Sequence, residues 1–300
     1  DYAALVHAGA RGVKRGNPDA QVVLGGLAWD LDYLRDLLEG FDVASSVDVV
    51  NIHSYFETWH EDPIEMLPQY IEEAAQLVHR FGEGEPLWMA EVGYSSRTSR
   101  AGVTELYRPR FRNEHTADYQ ASALVRTIFL SASTGRLSLL AWYRINDLPP
   151  TQDVIGDDHN RHLGIVDAFG NPKPAFTSFR WLTSLFSQPY RVSNHELIAV
   201  TDEGVPAEVH AFALADGRHV VAAWLPPPDS AAAPRQPVED VRRARVQLTL
   251  AQSSLVVKEI ETAPAARARP TIEARAPLAG KGTALSIPLE GSSVVVVVLE

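Results

Sequence analysis

The segment Pro86-Leu87-Trp88-Met89-Ala90-Glu91-Val92-Gly93-Tyr94 decides the fold, because it brings a single carboxylate to the end of a short apolar run. Apolar runs of this length are typical of buried parallel strands that helices cover on both faces. A carboxylate is costly to bury there, and parallel barrels carry their catalytic groups at the carboxyl ends of the strands. Glu91 is therefore a candidate catalytic group, and the alternative is an ion-paired anchor for a neighbouring loop.

The chain up to residue 186 alternates between strand and helix patterns at short intervals. We predict strands over residues 21–27, 47–53, 87–91 and 136–143, and helices over residues 2–15, 30–38, 63–81, 116–133 and 172–186. Strands that alternate with helices indicate βα units and a parallel sheet. The two longest loops leave from the carboxyl end of this sheet, where a (β/α)8 barrel carries its functional loops. Four strands make half of such a barrel.

The pattern changes after residue 188. Helical spacing disappears, and runs of β-branched residues predict strands over residues 197–201, 209–214, 219–225, 245–250, 255–261 and 293–299. Ala215-Asp216-Gly217-Arg218 predicts a hairpin turn, and segments 226–237 and 263–270 are predicted loops rich in proline and alanine. We predict two domains: a partial barrel over residues 1–188, and over residues 189–300 a β-sandwich without an aromatic platform that demands polysaccharide binding.

The composition of the 300 residues argues against several classes of partner. A net charge of −11 and a pI near 5.4 argue against nucleic acid and anionic membrane surfaces, because both bind basic proteins. No apolar run approaches the roughly 20 residues that span a bilayer, so we expect no membrane insertion. The absence of cysteine excludes disulfides and thiolate chemistry. The sequence leaves the compartment and the oligomeric state open.

Aromatic and imidazole side chains follow the other predicted strands. His53 and Tyr55 occupy alternate positions at a strand end, so both point to one face, where they suit sugar hydroxyls or a carboxylate. Trp142 ends the last strand and suits stacking on a pyranose ring, and Trp29 is a weaker candidate of the same kind. The structural alternatives are a hydrogen-bonded His53 that packs the top of the sheet and a Trp142 that belongs to the core.

No pattern in the sequence requires a metal or a cofactor. The run Asp157-Asp158-His159-Asn160-Arg161-His162 matches no metal-ligand spacing and predicts a solvated loop. Gly25-Gly26 is too short for a dinucleotide-binding fingerprint. Glu114 precedes a predicted helix, where its charge favours the N-terminal dipole. We therefore predict neither a metal site nor a cofactor site.

Several segments, taken in order, carry a family resemblance. They are Asp1-Tyr2-Ala3-Ala4-Leu5-Val6, Asn17-Pro18-Asp19-Ala20-Gln21-Val22-Val23-Leu24-Gly25-Gly26-Leu27, Asp48-Val49-Val50-Asn51-Ile52-His53-Ser54-Tyr55, the Pro86 to Gly93 run, Leu139-Leu140-Ala141-Trp142-Tyr143, and His162-Leu163-Gly164-Ile165-Val166-Asp167 leading into Asn171-Pro172-Lys173-Pro174-Ala175-Phe176. With these segments, residues 1–186 resemble the C-terminal half of the clan A glycoside hydrolases and look most like family 39 or its family 5 relatives.

The resemblance implies that this chain holds strands five to eight of a (β/α)8 barrel. It also implies a retaining glycosidase that acts on O-glycosidic bonds of an oligo- or polysaccharide without a cofactor. The family's nucleophilic Glu of strand seven corresponds to Glu91, its strand-six His and Tyr to His53 and Tyr55, and its strand-eight Trp to Trp142. Val92 departs from the family pattern, because many relatives carry an aromatic residue at this position.

The family's acid/base Glu lies in an Asn-Glu-Pro motif, and this motif does not occur in the 300 residues. Retaining hydrolysis needs two carboxyl groups about 5–5.5 Å apart. We therefore expect a truncated chain that is inactive by itself, with its acid/base Glu upstream of Asp1. Two alternatives stay open: a non-catalytic carbohydrate-binding or scaffold protein on a barrel fold, and an unrelated α/β protein in which Glu91 is structural.

Overall fold

The computed structural model describes residues 1–104, 106–194, 197–201, 204–228, 236–264, 269–276 and 281–300. The chain forms two compact units that alternate along the sequence. The sheet unit comprises Asp1–Tyr55, Met66–Gly93 and Thr134–Tyr143, and the sandwich unit comprises Phe56–Glu65, Tyr94–Ser133 and Arg144–Glu300.

The sheet unit contains one parallel sheet with the strand order β1-β2-β3-β4. Its strands are β1 Leu27–Ala28, β2 Val50–Ser54, β3 Leu87–Val92 and β4 Leu137–Trp142. Its helices are α1 Tyr2–Gly16, α2 Leu31–Arg35 with a π-helical turn Asp36–Gly40, a 3-10 turn Val43–Ser46, and α3 Leu67–Phe81, which a 3-10 turn Ile64–Met66 precedes in sequence.

Local sequence explains where these helices begin and end. The carboxylate of Asp30 caps α2 by accepting the backbone N–H of Tyr33 at 2.8 Å. Helix α3 has Pro68 in its first turn, where a missing N–H costs no hydrogen bond, and it ends at Gly82. Its buried residues recur at the helical spacing that a one-sided apolar face produces: Leu67, Tyr70, Ile71, Ala74 and Val78.

The first strand is shorter than the sequence predicts. Strand β1 covers two residues, whereas the sequence predicts a strand from residue 21 onward. The carboxylate of Asp48 accepts the N–H of Val22 at 2.6 Å and takes the place of a ladder carbonyl. Val23 makes only an isolated bridge with Val49. Gly25 and Gly26 contribute no side chain to the sheet, and glycine weakens a strand. The predicted strand therefore reduces to its carboxyl end.

The sandwich unit contains two antiparallel sheets, with strand orders β10-β12-β8-β7-β5 and β11-β9-β6. The strands are β5 Tyr190–Val192, β6 Leu197–Thr201, β7 Glu208–Leu214, β8 His219–Trp224, β9 Arg243–Leu250, β10 Val257–Ala263, β11 Thr283–Glu290 and β12 Val294–Leu299. The helical elements are α4 Ala117–Thr134, a 3-10 turn Asp158–His162 and α5 Pro174–Leu185. The predicted turn joins β7 to β8, with Gly217 at φ 91° and its N–H donating to the Leu214 carbonyl.

The two antiparallel sheets share one core, which alternate residues of their strands fill. These residues include Ala211, Val221, Ala223, Val246, Leu248, Leu285, Ile287, Val295 and Val297. The intervening residues of β8 and β12 face the other way and are also buried, which explains the valine run of β12. Helix α4 packs on this outer face through Phe129, whose ring centroid lies 5.6 Å from that of Phe212.

Helix α4 also holds a buried ion-pair network. Arg126 pairs with Glu57 at 3.2 Å and with Glu65 at 3.0 Å, and the indole N–H of Trp224 donates to Glu65 at 2.8 Å. The side chain of Arg126 is 2% exposed and that of Glu57 is fully buried. Burial raises the pKa of Glu65. Since a buried charge without its partner is strongly destabilising, the network ties the segment Phe56–Glu65 to α4.

Several local predictions differ from the structure. Strands β5 and β11 are not among the predicted strands, because the three residues of β5 are too few to show an alternating pattern and β11 contains Pro288. The proline is tolerated because β11 is an edge strand. The run predicted as a solvated loop forms the 3-10 turn Asp158–His162, with His159 buried. The predicted loops 226–237 and 263–270 lie partly outside the described residues.

The structure also gives Glu114 a different role from the predicted one at a helix N-terminus. Its carboxylate is buried and accepts the hydroxyl of Tyr107 and, at 3.1 Å each, the backbone N–H groups of Arg110 and Phe111. Helix α4 begins only at Ala117. Glu114 therefore organises the loop before the helix.

The parallel sheet and the two antiparallel sheets confirm the predicted fold class, half of a (β/α)8 barrel with an all-β sandwich. The domain boundary near residue 188 stays a prediction. Within the described residues, no helix combines the length and apolarity that crossing a bilayer requires.

Candidate active site

Three of the predicted site residues meet at the carboxyl ends of β2 and β3 in the sheet unit. The hydroxyl of Tyr55 donates a hydrogen bond to Oε1 of Glu91. Nδ1 of His53 lies 3.7 Å from Oε2 of the same carboxylate. The side chains of His53 and Glu91 are 22% and 32% exposed, so the carboxylate is held by two neighbours and is still accessible.

A β-bulge in β3 directs Glu91 toward His53. Ile52 of β2 pairs with Met89, but the next residue, His53, pairs with Glu91, so Ala90 is an extra residue in β3. Leu87, Met89 and Val92 are buried, whereas Trp88, Ala90 and Glu91 are partly exposed. Strict alternation would put Glu91 on the buried face of Met89. The bulge moves it to the accessible face, as bulges beside active sites commonly do.

The side chain of Asn51 satisfies the backbone at this bulge. Its Oδ1 accepts the N–H of Ala90 at 3.0 Å, and its Nδ2 lies 3.5 Å from Nε2 of His53. Asn51 is 5% exposed, so an unpaired N–H at Ala90 would be costly. Sequence reasoning missed Asn51, although its position two residues before His53 puts it on the same face of β2.

Gly26 leaves room for the ring of His53. A Cβ atom built on Gly26 would lie 1.9 Å from Nε2 of His53, a separation that no pair of non-bonded atoms adopts. Any larger residue at this position would therefore displace the imidazole. In the sequence, Gly26 is recognisable only as part of a glycine pair. Its role in leaving space for the His53 ring becomes visible only when β1 is seen to pair with β2.

Burial sets the protonation of the two residues that contact Glu91. Burial raises the pKa of Tyr55 far above its usual value, and the hydrogen bond to Glu91 and the charge of that carboxylate add to this effect, so the phenol remains a donor. Burial lowers the pKa of His53, and the attraction of Glu91 opposes that shift only in part. His53 is therefore neutral at pH 7, and its ring does not neutralise the carboxylate.

Trp29 follows β1 and is tied to β2 through Tyr70 of α3. Trp29 has a left-handed backbone, with φ at 68°, which is costly for a residue with a large side chain. Its N–H donates to the hydroxyl of Tyr70 at 3.2 Å, and that hydroxyl lies 3.1 Å from the carbonyl oxygen of His53. The rings of Trp29 and Tyr70 have centroids 5.9 Å apart. Sequence reasoning missed Tyr70, because its position on the apolar face of α3 predicts only packing in the core.

Trp142 ends β4 and has Val92 of β3 as its register partner. The indole is partly buried, and its Nε1 has no hydrogen-bond partner within the part of the chain that the structure describes. A buried N–H group without a partner is uncommon in folded proteins. Because Val92 directly follows Glu91, Trp142 is a neighbour of the site on the adjacent strand.

A second cluster of ionisable groups lies in the sandwich unit and is enclosed. The ring of His115 stacks on Tyr94 with centroids 5.1 Å apart and lies 4.9 Å from the ring of His159. Burial lowers the pKa of His115 to about 3 and that of His159 to about 4. Burial, with the nearby charge of Glu57, raises the pKa of Glu114 to about 7. Because these groups are buried, we assign them a structural role.

No group of three or more metal-ligating side chains occurs among the described residues. The described residues at this site include one phenol, one imidazole and one amide. Together with the carboxylate, this set suits the binding and orientation of a polyhydroxylated substrate and nucleophilic attack by Glu91.

Comparison with solved structures identifies proteins of the same fold. The GH51 arabinofuranosidase from Xanthomonas axonopodis pv. citri aligns with 98% of this chain at 12% identity and a TM-score of 0.58, over 63% of its own length. A monomeric beta-xylosidase from Caulobacter crescentus CB15 aligns with 100% of the chain at 15% identity and a TM-score of 0.55, over 65% of its own length. The GH39 enzyme from Xanthomonas axonopodis pv. citri aligns with 100% at 17% identity and a TM-score of 0.57, over 64% of its own length.

These identities establish a likeness of fold, and the chain spans less than two thirds of the length of each of these proteins. No protein-family model and no curated protein matches the sequence. The predicted resemblance to clan A glycoside hydrolases is thus confirmed in the fold, with family 39 among the matching structures.

Proposed function

We propose that this protein is a retaining glycoside hydrolase that cleaves O-glycosidic bonds of an oligo- or polysaccharide, with Glu91 as the nucleophile. The observation that carries the proposal is the carboxylate of Glu91, held by Tyr55 and approached by His53 at the carboxyl end of a parallel strand. The fold shared with glycosidases supports the same assignment. Catalytic groups of parallel barrels lie at this end of their strands.

The proposed reaction has two steps. In the first, a carboxylate oxygen of Glu91 attacks the anomeric carbon, the glycosidic C–O bond breaks, and a second carboxyl group protonates the leaving oxygen. In the second, that group takes a proton from water, the water oxygen attacks the anomeric carbon, and the ester bond to Glu91 breaks. Both steps balance, because one water is consumed and the second carboxyl group recovers its proton.

Tyr55 and His53 have positioning roles in this proposal. Tyr55 donates its hydrogen bond to Oε1 of Glu91, which leaves Oε2 for the attack. Because the pKa of Tyr55 is raised, the phenol keeps its proton and remains a donor throughout the physiological pH range. The neutral imidazole of His53 lies on the side of Oε2 and suits a sugar hydroxyl. Trp142 and Trp29 would stack on sugar rings, and the indole N–H of Trp142, which has no hydrogen-bond partner among the described residues, suits a substrate oxygen.

The second carboxyl group is not assigned to any of the 300 residues, because they lack the Asn-Glu-Pro motif. We therefore propose that this chain alone does not hydrolyse glycosides and that Glu91 acts together with an acid/base Glu in the full-length gene product. The same observation favours the second candidate function, a carbohydrate-binding or scaffold protein without turnover. Activity separates the two.

Pentosides are the first substrates to test, because matching structures include an arabinofuranosidase and a beta-xylosidase. The full-length gene product would be assayed on aryl β-xylosides and aryl α-L-arabinofuranosides. It would then be incubated with 2-deoxy-2-fluoro-β-xylosyl fluoride, whose glycosyl-enzyme ester hydrolyses slowly. Mass spectrometry of the peptides should find the fluorosugar on Glu91, and the Glu91→Gln variant should remain unlabelled.

Three outcomes decide between the candidates. Labelling of Glu91 together with turnover supports the hydrolase. Normal turnover by Glu91→Gln, or a label on another carboxylate, overturns the assignment of the nucleophile. Saccharide binding without any turnover on the aryl glycosides favours the binding protein.

A further inference from the structure

A cleft of about 520 Å³ lies beside helix α5 in the sandwich unit. Thr177, Trp181 and Ser184 line it from α5, and their spacing puts them on one face of the helix. Glu261 of β10 and Arg269 also line it. Its volume lies within the range of roughly 300–1,000 Å³ that small-ligand sites occupy.

The indole of Trp181 is held in a fixed orientation at this cleft. Its Nε1–H donates to Oε1 of Glu259 at 3.0 Å, and the side chain is partly exposed. Ile260 packs against the sandwich core, so its neighbours Glu259 and Glu261 lie on the opposite face of β10. An aromatic side chain that is already ordered loses little freedom when a ligand packs on it.

Polar groups of both charges surround the indole. Glu261 is 17% exposed and pairs with Arg269, whose Nη2 lies 2.6 Å from its Oε1. Arg180 is exposed on α5, and Thr177 and Ser184 add hydroxyl groups. A carboxylate accepts hydrogen bonds, a guanidinium donates them, and a hydroxyl does both. Because neither sign of charge dominates, the lining suits an uncharged ligand with many hydroxyl groups.

We propose that this cleft is a carbohydrate-binding site that takes a neutral saccharide, with one sugar ring stacked on Trp181 and its hydroxyls bound by Glu261, Arg269 and Ser184. The site goes beyond the proposed hydrolase function and does not depend on Glu91. The sequence showed no aromatic platform within the sandwich strands, because Trp181 belongs to the helix that precedes them.

Affinity electrophoresis in gels that contain soluble arabinoxylan tests the proposal, with xylohexaose titrations by calorimetry as a second measurement. All proteins would carry Glu91→Gln, so that the probes are not cleaved. Trp181→Ala removes the stacking surface, and Ser184→Arg fills the cleft from an exposed helix position. Thr183→Arg is the matched control, because Thr183 is exposed on the same helix and does not line the cleft.

We expect Trp181→Ala and Ser184→Arg each to weaken binding at least about tenfold, while Thr183→Arg binds like the parent protein. Trp142→Ala, on the other unit, should leave this binding event in the titration unchanged. Equal binding by Ser184→Arg and Thr183→Arg overturns the proposal. Failure of the parent to bind either neutral probe, or tighter binding to polygalacturonate that Ser184→Arg abolishes, also overturns it.

Discussion

The hydroxyl of Tyr55 donates a hydrogen bond to Oε1 of Glu91, and this bond joins the carboxyl ends of two neighbouring parallel strands. The bond leaves the second carboxylate oxygen on the side of His53. The proposed mechanism therefore depends on how firmly the carboxylate of Glu91 is oriented. Substitutions of the surrounding residues test the contacts that orient it, one at a time.

Glu91→Gln should keep the fold and remove nearly all turnover by the full-length protein, because an amide is a poor nucleophile for the anomeric carbon. Turnover of aryl glycosides and the midpoint of thermal unfolding are the two measurements. A melting temperature close to that of the wild type shows that the loss is chemical. Retained turnover would contradict the proposed role of Glu91.

Tyr55→Phe removes the hydrogen bond to Glu91 and preserves the ring. A hydrogen bond to a charged group contributes about 1.5–3 kcal/mol, so we expect kcat to fall about 10–100-fold with a smaller change in KM. Steady-state kinetics on an aryl glycoside measure both parameters. Tyr33→Phe, at a surface tyrosine, serves as the control. An unchanged kcat in Tyr55→Phe would show that the orientation of Oε1 does not limit the reaction.

Gly26→Ala should displace the ring of His53, because the new Cβ would lie 1.9 Å from Nε2. A ring that moves toward solvent regains part of its hydration, so the pKa of His53 should rise toward its usual value. NMR titration of the imidazole measures this shift. Gly9→Ala is the control, since nothing lies within 4 Å of the position of its Cβ on α1. An unmoved His53 pKa in Gly26→Ala would contradict the close packing of the ring against position 26.

Tyr70→Phe should loosen the turn that carries Trp29. The backbone N–H of Trp29 loses the phenol oxygen as an acceptor, the carbonyl of His53 loses it as a donor, and a typical hydrogen bond contributes about 0.5–1.5 kcal/mol. We expect a loss of unfolding free energy in that range, together with a higher KM and a smaller effect on kcat. Urea unfolding and kinetics measure the two effects. A variant that loses stability but keeps its KM would show that Trp29 does not contact the substrate.

Acidification should weaken the sandwich unit through His115. Its pKa is about 3 in the folded protein, whereas an unfolded histidine titrates near its usual value of about 6.5. The unfolded state therefore binds a proton first, and stability falls as the pH decreases from about 6.5 toward 3, by about 1.4 kcal/mol per pH unit. The raised pKa of Glu114 has the opposite effect between about 4.5 and 7, so variants are needed to isolate His115.

Urea unfolding of the wild type and of His115→Gln at pH 7, 6 and 5 isolates this contribution. The difference in unfolding free energy between the two proteins should shrink as the pH falls. His79→Gln, at an exposed position of α3, is the control and should follow the wild type. A difference that does not depend on pH would show that His115 titrates normally in the folded state.

The sequence predicted the parallel strands, their order along the chain and the residues at their carboxyl ends. It placed His53 and Tyr55 on one face by alternation, and the structure brings both to Glu91. Contacts between distant segments were not predictable in this way. The space for the His53 ring at Gly26 exists only because β1 lies beside β2. Tyr70, which accepts the hydrogen bond from Trp29, belongs to a helix about 40 residues later in the sequence.

His159 in the sandwich unit is a second example of a residue whose surroundings depend on contacts between distant segments. A polar run predicted a solvated loop, but Asp157 accepts the N–H groups of Trp59 and Thr104, which come from other loops, and His159 is buried. Local composition reports the solubility of a segment and does not reveal which distant partners will cover it. Residues that act through long-range contacts therefore escape a reading of sequence patterns.

The bulge lets β3 contain one residue more than a regular strand while the side chain of Glu91 stays on the accessible face. Deleting Ala90 would leave Glu91 directly after Met89 in a regular strand, and alternation would then put its carboxylate on the same accessible face that it has now. A homologue that lost this single codon would keep both the motif and an accessible carboxylate. In aligning relatives of this chain, a one-residue gap at position 90 would therefore not indicate loss of the site, whereas a substitution of Glu91 would.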